Sequence, residues 1–161
     1  WGNPFKRIGL AHPTIAPYGV FKTRDGADIL ISIQNDREWR VLADKVLGNA
    51  ALGTDARYAT NPKRQANRAA TDAEVAKVFA AQDVEPLMKK LTEADIAFAR
   101  VNDSALLATH PHLRRVTVDT PSGPAMMPAP GASFVGERRD YGAIPALGAH
   151  SEAIKTEFAP K

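Results

Sequence analysis

The stretch that decides the fold is VFKTRDGADILISI, which occupies residues 20–33. Apolar residues flank Asp25-Gly26, a dipeptide that tolerates the positive φ angles of a tight hairpin turn. After the turn, isoleucine recurs at every second position, at Ile29, Ile31 and Ile33. Alternating β-branched residues are typical of a strand. The stretch therefore predicts a β-hairpin whose second strand packs on both faces.

A proline-rich loop, GLAHPTIAPYG at residues 9–19, leads into this hairpin. Pro13 and Pro17 fix their own φ angles and keep the residues before them out of helical geometry. Gly9 and Gly19 bracket the segment, which we call the proline loop. An ordinary connecting loop fits these residues, and a stiff loop held ahead of a strand could also cover a functional site. The residues alone leave both interpretations open.

The composition is that of a globular domain. With 161 residues, 44% of them hydrophobic and 24% charged, the chain can bury a core of its own. The net charge of +3 is small and the basic residues are spread among acidic ones, so the chain offers no basic face for nucleic acid. Acidic substrates remain compatible with it. The lack of cysteine excludes disulfides, thiolate metal sites and a cysteine nucleophile.

The chain begins Trp1-Gly2-Asn3-Pro4, whereas a signal peptide begins with a basic segment followed by an apolar one. No apolar run approaches the roughly 18–20 residues that span a bilayer. We therefore expect a cytoplasmic protein with no membrane partner. A chain that starts at tryptophan rather than methionine is also expected to have been cut from something longer.

Helical periodicity follows the hairpin. Asn35 or Asp36 can cap a helix whose apolar stripe falls at i, i+3, i+4, i+7 and i+8, and Gly48 ends it. The stripe consists of Trp39, Leu42, Ala43, Val46 and Leu47. Asn61-Pro62 predicts the start of the next helix. Three polar residues on that helix form a stripe that we interpret as a solvated face: Arg64, Asn67 and Arg68.

Later segments complete the fold prediction. Thr71 and Glu74 have the spacing of a capping box, which predicts a helix start at that point. A strand is predicted over 96–101 and a second hairpin around 121–123, and Ser151 is placed to cap a final helix. Elements in this order predict an α+β fold, in which helices cover a small antiparallel sheet.

The patterns that carry chemistry are incomplete. His110 and His112 stand either side of a proline with no third ligand at a useful spacing, so the sequence predicts no metal site. It contains neither a Gly-x-Ser-x-Gly turn nor a glycine-rich phosphate loop. Its paired carboxylates lie at turns, where structural roles account for them: Asp25 with Asp28, and Asp36 with Glu38. We assign no catalytic residue within this chain.

Seven ordered segments give the chain a resemblance to a known family. They read HPTIAPYG (12–19), FKTRDG (21–26), QNDREW (34–39), RYATNPKRQANR (57–68), VNDSALLATHPHL (101–113), PSGPAMMPAP (121–130) and LGAHS (147–151). Each is weak alone, but in register they resemble the C-terminal part of a family III CoA-transferase, of the carnitine dehydratase and bile-acid-inducible protein F (CaiB/BaiF) family. The segments look most similar to transferases of dicarboxyl-CoA thioesters, of mesaconyl or succinyl type.

The resemblance implies a two-domain enzyme. A Rossmann-like large domain, completed by the C-terminal segment, would carry an inserted small α+β domain. Residues 1–19 would be a linker and a loop that covers the active site, residues 20–101 the small domain, and residues 102–161 a linker and the returning segment of the large domain. The N-terminal half of the same enzyme would be the missing partner, and two complete subunits would interlock as a homodimer.

The resemblance also implies a reaction. Members of the family move CoA between an acyl-CoA and a carboxylic acid, with the CoA thioester as substrate and no metal. An aspartate forms an acyl anhydride and then an aspartyl-CoA thioester, and that aspartate would lie outside this chain, which we expect to be inactive alone. The loop ahead of the small-domain hairpin reaches over the active site and is glycine-rich in some members. Two prolines here imply a stiffer cover, with these residues nearest to substrate: Gly9, His12, Pro13, Ile15 and Tyr18.

Two other functions stay open. The chain could be part of a 2-methylacyl-CoA racemase of the same superfamily, whose His/Asp pair would also lie outside it. It could instead be a free-standing binding or scaffold domain, which would expose little apolar surface. A fragment of a larger enzyme should expose apolar side chains within residues 120–161. Those side chains are Met126, Met127, Phe134 and Leu147.

Overall fold

The hairpin predicted at residues 20–33 forms two strands of a three-stranded antiparallel sheet. Strand β1 (Tyr18–Lys22) pairs with β2 (Asp28–Ser32), and β3 (Phe98–Arg100) pairs with the other edge of β2. Gly26, in the connecting turn, has a φ of +84°, in the left-handed region that glycine adopts without strain. The hairpin prediction is therefore confirmed.

The computed structural model describes residues 7–136 and 139–159 of the chain. The chain divides into two compact units, residues 1–102 and residues 103–161. Small antiparallel sheets and helices occur together, so the predicted α+β class is confirmed. Among the described residues, no helix has the length and apolar character needed to cross a membrane.

Helical segments of the first unit pack with the sheet around one core. In chain order they are α1 (Asp36–Val41), a π-helical turn (Leu42–Val46), a 3-10 turn (Ala50–Gly53), α2 (Asn61–Ala66), α3 (Arg68–Phe79) and α4 (Val84–Glu93). The sheet and the helices both contribute fully buried side chains, among them Ile29, Ile31, Ile33, Trp39, Leu42, Phe79 and Leu87. Removing these side chains from water is the main stabilising contribution to the unit.

Helix α1 forms where its sequence signals predict. The Asn35 side-chain oxygen accepts the Glu38 N–H at 2.9 Å, and the Glu38 carboxylate accepts the Gln34 N–H at 2.7 Å. Every residue of the predicted apolar stripe is buried. Gly48, just beyond the π-helical turn, has a φ of +66°, as expected of a residue that ends a helix.

The capping box predicted at Thr71 is wrong. Helix α3 begins at Arg68, so Thr71 lies inside the helix and is fully buried. Its N–H, which the Glu74 carboxylate would satisfy in a capping box, donates instead to the Asn67 carbonyl at 2.9 Å. Its hydroxyl donates to the carbonyl groups of Arg64 (3.2 Å) and Asn67 (3.1 Å), so it joins the end of α2 to the start of α3.

The second unit contains short elements. In chain order they are α5 (Ser104–Ala108), β4 (Arg115–Thr120), β5 (Gly123–Pro128) and α6 (Ser151–Glu157). β4 and β5 pair as the predicted second hairpin. The capping role predicted for Ser151 is wrong, because Ser151 is already the first helical residue and its N–H donates to the Gly148 carbonyl at 3.0 Å. His150 takes the position before it without a side-chain capping bond.

The second unit buries few apolar side chains. Among its described residues, the buried hydrophobic side chain is that of Val118, which is 9% exposed. The side chains predicted to be exposed in a fragment are all exposed: Met126 (70%), Met127 (41%), Phe134 (58%) and Leu147 (107%). This unit therefore presents an apolar surface that the described residues do not cover.

Candidate functional site

The proline loop folds so that its aromatic residues meet. The His12 N–H donates to the Tyr18 carbonyl at 3.2 Å, and the two rings stack with centroids 5.2 Å apart and planes 23° from parallel. The structure thus brings these two predicted site residues together. Pro13 is exposed and Ile15 is half-buried on the segment between them, whereas Gly9 lies ahead of it, exposed and at a φ of +64°.

Alternate carbonyl groups of the loop are bound by side chains of α2 and α3. They belong to His12, Thr14, Ala16 and Tyr18. The loop bends repeatedly between Ala11 and Pro17, so these carbonyl groups are not paired in a strand ladder. Pro13 and Pro17 have no N–H to donate to a strand partner. Side-chain donors therefore hold the loop in place of a regular strand ladder.

Asn61, at the start of α2, holds the middle of the loop with both ends of its amide. Its Nδ2 donates to the Thr14 carbonyl at 2.9 Å, and its Oδ1 accepts the Ala16 N–H at 3.1 Å. The backbone N–H of Asn61 donates to the Asp36 carboxylate at 2.9 Å. The start of α2 is thereby joined to both the loop and the start of α1.

Arg64 is fully buried and holds the loop at Ala16. Its Nε donates to the Ala16 carbonyl at 2.6 Å, its Nη1 to the Tyr58 carbonyl at 2.9 Å and its Nη2 to the Asp36 carboxylate at 2.9 Å. The guanidinium carbon lies 5.3 Å from the centre of the Trp39 ring, within the range of a cation–π contact. Burial lowers the pKa of Arg64, and the hydrogen bond and charge of Asp36 oppose that shift. The buried charge is therefore paired and hydrogen-bonded, as a stable core requires.

Arg68, in the first turn of α3, binds two carbonyl groups at the ends of the stacked segment. Its Nη1 donates to the His12 carbonyl at 2.7 Å and its Nη2 to the Tyr18 carbonyl at 3.1 Å. Its Nε lies 3.4 Å from the Asp72 carboxylate. Burial raises the pKa of Asp72, and the charge and hydrogen bond of Arg68 oppose that shift. One planar guanidinium thus fixes the backbone of both residues whose rings stack.

The solvated face predicted for α2 is wrong. The Arg64 side chain has no exposed surface, the Arg68 side chain is 26% exposed, and Asn67 is half-buried. This face meets the proline loop, whose carbonyl groups need donors. Asn61 and Arg64 stand at i and i+3 on α2, a spacing that places both donors on one side of that helix, whereas Arg68 begins α3 after the break at Asn67. That spacing is the sequence signal that could have identified the first two.

The His12 ring has one nitrogen occupied within the loop. Its Nδ1 faces the Thr14 N–H at 3.2 Å and the Thr14 hydroxyl at 3.4 Å. A backbone N–H can only donate, so Nδ1 accepts, and a neutral imidazole that accepts at Nδ1 carries its proton on Nε2. We assign this tautomer from the hydrogen bond. His12 then offers an Nε2–H donor next to the tyrosine ring.

The carboxylates at the hairpin turn and at α1 have structural partners. Asp25 accepts the Thr23 hydroxyl and the Val84 N–H, and these bonds lower the pKa of Asp25. Asp36 is held by Arg64, as described above. Among residues 7–136 and 139–159, no group of three or more histidines and carboxylates is arranged to hold a metal ion.

Known proteins are similar to this chain in sequence and in fold. A profile described as CoA-transferase family III matches residues 1–151. The acetyl-CoA:oxalate CoA-transferase of Acetobacter aceti is 30% identical over 160 residues, which is 98% of this chain and 41% of that protein. The succinate–glutarate CoA-transferase of Agrobacterium fabrum is 43% identical over 67 residues, 42% of this chain and 16% of that protein. The crystal structure of a CAIB/BAIF family protein from Brucella suis matches with a TM-score of 0.72 at 29% identity, covering 97% of this chain and 41% of that one. The chain thus spans less than half of the length of these relatives.

Proposed function

Because the chain belongs to CoA-transferase family III, we propose that it is the C-terminal part of an enzyme that moves CoA from an acyl-CoA to a carboxylic acid. The resemblance predicted from the ordered sequence segments is confirmed at the level of the family. The observation that carries the proposal is the 30% identity, along 98% of this chain, to the acetyl-CoA:oxalate CoA-transferase of Acetobacter aceti. The coenzyme enters as the thioester substrate.

In the proposed reaction the nucleophile is an aspartate outside these residues. Its carboxylate attacks the thioester carbonyl and displaces the CoA thiolate, which leaves a mixed anhydride. The thiolate then attacks the aspartyl carbonyl of the anhydride, so the first acid leaves and an aspartyl-CoA thioester forms. A second acid displaces the thiolate again, and the thiolate takes the new acyl group from the second anhydride. The aspartate is regenerated in that step.

The proline loop supplies this chain's part of the proposed site. The substrate-proximal residues are Gly9, His12, Pro13, Ile15 and Tyr18. Oxalate, succinate and glutarate, which occur in the names of two relatives, are dicarboxylic acids, and we propose this substrate class for the enzyme. A carboxylate that takes no part in the reaction needs a hydrogen-bond donor, and the His12 Nε2–H has that chemistry.

The exposed apolar surface of the second unit supports the same proposal. A unit that leaves most of its large apolar side chains exposed is expected to bury them against another part of a protein. In the proposed enzyme, residues 102–161 return to a Rossmann-like large domain whose remainder is the N-terminal half. Residues 1–19 and 20–101 form the covering loop and the small domain. Two complete subunits then interlock as a homodimer.

The test begins with the gene, read upstream of the Trp1 codon, and with the complete protein that it encodes. Acetyl-CoA or succinyl-CoA is mixed with oxalate or glutarate, and new CoA thioesters are separated by chromatography. We expect transfer by the complete protein and none by the 161-residue chain alone. Hydroxylamine added during turnover should convert one aspartate, upstream of Trp1, to its hydroxamate, which peptide mass spectrometry identifies.

Two outcomes would contradict the proposal. Inversion of a 2-methylacyl-CoA without any acceptor acid, and without CoA transfer, would instead indicate the racemase. A gene that encodes nothing upstream of Trp1, with a product that binds no acyl thioester, would indicate a binding or scaffold domain.

A further inference from the structure

Arg68 differs from the other residues that hold the proline loop in the carbonyl groups that it binds. Asn61 and Arg64 bind the middle of the loop, at Thr14 and Ala16. Arg68 alone among these three binds the carbonyl groups of His12 and Tyr18, the two residues whose rings stack. A guanidinium is a rigid fork, so the separation of its two Nη donors fixes the separation of the two carbonyl groups.

We propose that Arg68 is a positioning residue for substrate recognition, an inference that rests on the proposed function. By holding both carbonyl groups, Arg68 sets the stack of His12 on Tyr18 and therefore the direction of the His12 Nε2–H. That donor recognises the carboxylate of a dicarboxylic substrate that takes no part in the reaction. Arg68 acts through His12 and touches no substrate itself.

Burial distinguishes this role from a general contribution to folding. The Arg64 side chain is fully buried and bonds to the core through Tyr58 and Asp36, so its loss should strongly destabilise the unit. The Arg68 side chain is 26% exposed and its nearest acidic partner, Asp72, is 35% exposed. A lysine at position 68 keeps the positive charge beside Asp72 and can keep one of the two carbonyl bonds, so less stabilisation is lost than when the buried Arg64 is removed. Replacement of Arg68 should therefore change the loop much more than the free energy of unfolding.

The first experiment measures the loop without reference to activity. In the 161-residue chain labelled with nitrogen-15, the imidazole shifts of His12 report which ring nitrogen carries the proton. We expect the Nε2–H form in the wild type and a mixture of tautomers in Arg68→Lys. One ammonium group cannot hold both carbonyls, so the His12 backbone is no longer fixed and Nδ1 loses its constant position at the Thr14 N–H. Arg57→Lys is the matched control, since Arg57 pairs with Asp55 at the surface and makes no bond to the loop among the described contacts. An unchanged His12 spectrum in Arg68→Lys would overturn the proposal.

The second experiment is a double-mutant cycle on the complete enzyme. Arg68→Lys should lower kcat/KM for the dicarboxylic acceptor about 10- to 100-fold, mainly through KM, with an unchanged thermal midpoint. His12→Asn removes the Nε2–H but leaves an amide group at the position of Nδ1. In that background, Arg68→Lys should lower kcat/KM by less than about twofold. An equal loss in both backgrounds, or a loss matched by a fall in thermal midpoint, would show that Arg68 does not act through His12.

The outcomes separate this proposal from the proposed function. If the complete wild-type protein transfers no CoA, the proposed function fails, and the nitrogen-15 experiment still decides whether Arg68 sets the His12 tautomer. If the wild type transfers CoA and the cycle is additive, only the positioning role fails. The control Arg57→Lys should leave kcat/KM unchanged in the same assay.

Discussion

Similar apolar side chains are buried in residues 7–102 and exposed in residues 103–159. In the first region, Phe79 and Leu87 are fully buried in a core that helices and strands share. In the second region, Phe134 and Leu147 are exposed, although the segment also contains a hairpin and two helices. Apolar content alone therefore does not determine whether a region can bury its own apolar side chains. What matters is whether enough elements of the same region meet over each apolar side chain.

The two hairpins differ in the same respect, because among the described residues one belongs to a larger sheet and the other does not. β2 is paired on both edges and carries isoleucines that the helices cover. Within residues 7–136 and 139–159, β4 and β5 pair only with each other, and Met126 on β5 is 70% exposed. An isolated two-stranded hairpin is marginally stable in water. The second region should thus derive much of its order from a surface beyond its own residues.

The largest expected effect tests this comparison with one residue type. Phe79→Ala should destabilise the first region by about 3–5 kcal/mol, because the side chain is fully buried and leaves a cavity. Phe158→Ala, at a side chain that is 75% exposed, should change stability by less than about 0.5 kcal/mol. Urea unfolding followed by the fluorescence of buried Trp39 measures the loss in the first region, in a Trp1→Phe background that leaves one tryptophan. Far-UV circular dichroism, which reports the helices and strands of both regions, measures the effect of Phe158→Ala.

Equal effects of the two alanine variants would break the comparison. If Phe79→Ala unfolds the region completely, Phe79→Leu gives a smaller loss of the same sign. The dependence of the unfolding free energy on urea, which scales with exposed surface, should match a region smaller than the whole chain.

Local sequence signals correctly predicted the features that depend only on neighbouring residues. The hairpin at Asp25-Gly26 and the start of α1 at Asn35 depend on neighbours within a few residues, and both are confirmed. The capping box at Thr71 failed because the pattern is short, and a helix that starts at Arg68 satisfies the same amide. A four-residue motif cannot specify where a helix begins when the preceding turn already continues it.

The loop-binding face of α2 and α3 could not be predicted in the same way. Arg64 lies 48 positions from the Ala16 carbonyl that it binds, so its burial depends on a contact that no local pattern describes. An arginine on a helix is usually solvated, because burial of its charge needs several partners at once. The family was identified from ordered segments along the chain, whereas the substrate-proximal role of the proline loop stays a prediction.

The second prediction sharpens the comparison with two arginines that both donate to backbone carbonyl groups. Arg64→Ala should destabilise the first region by about 2–4 kcal/mol, since the buried carbonyl groups of Ala16 and Tyr58 lose their donor. Arg114 donates to the Pro130 carbonyl at 2.7 Å in an exposed setting. Arg114→Ala should cost less than about 1 kcal/mol, because water replaces the lost bond.

Thermal unfolding by circular dichroism, together with Trp39 fluorescence, separates these two losses. The contrast would fail if Arg114→Ala were as destabilising as Arg64→Ala. A conservative variant, Arg64→Lys, should recover part of the loss, because the ammonium can reach one of the partners but not all three.

The smallest expected effect concerns a surface pair of the first region, and it asks whether such pairs or the core hold that region together. The hydrogen bond from Arg57 to Asp55 lowers the pKa of Asp55 to about 2 from its ordinary value of 3.8. A carboxyl whose pKa is lower in the folded state stabilises the fold above its ordinary pKa, and this contribution disappears as the pH falls from about 4 to about 2. Asp55→Asn should therefore be slightly less stable than the wild type at neutral pH and should converge with it near pH 2. Urea midpoints read from Trp39 at a series of pH values measure this convergence, and Arg57→Gln should reproduce it without adding to Asp55→Asn. Curves that stay parallel down to pH 2 would mean that the pair makes no contribution and that the acid sensitivity of the region originates elsewhere.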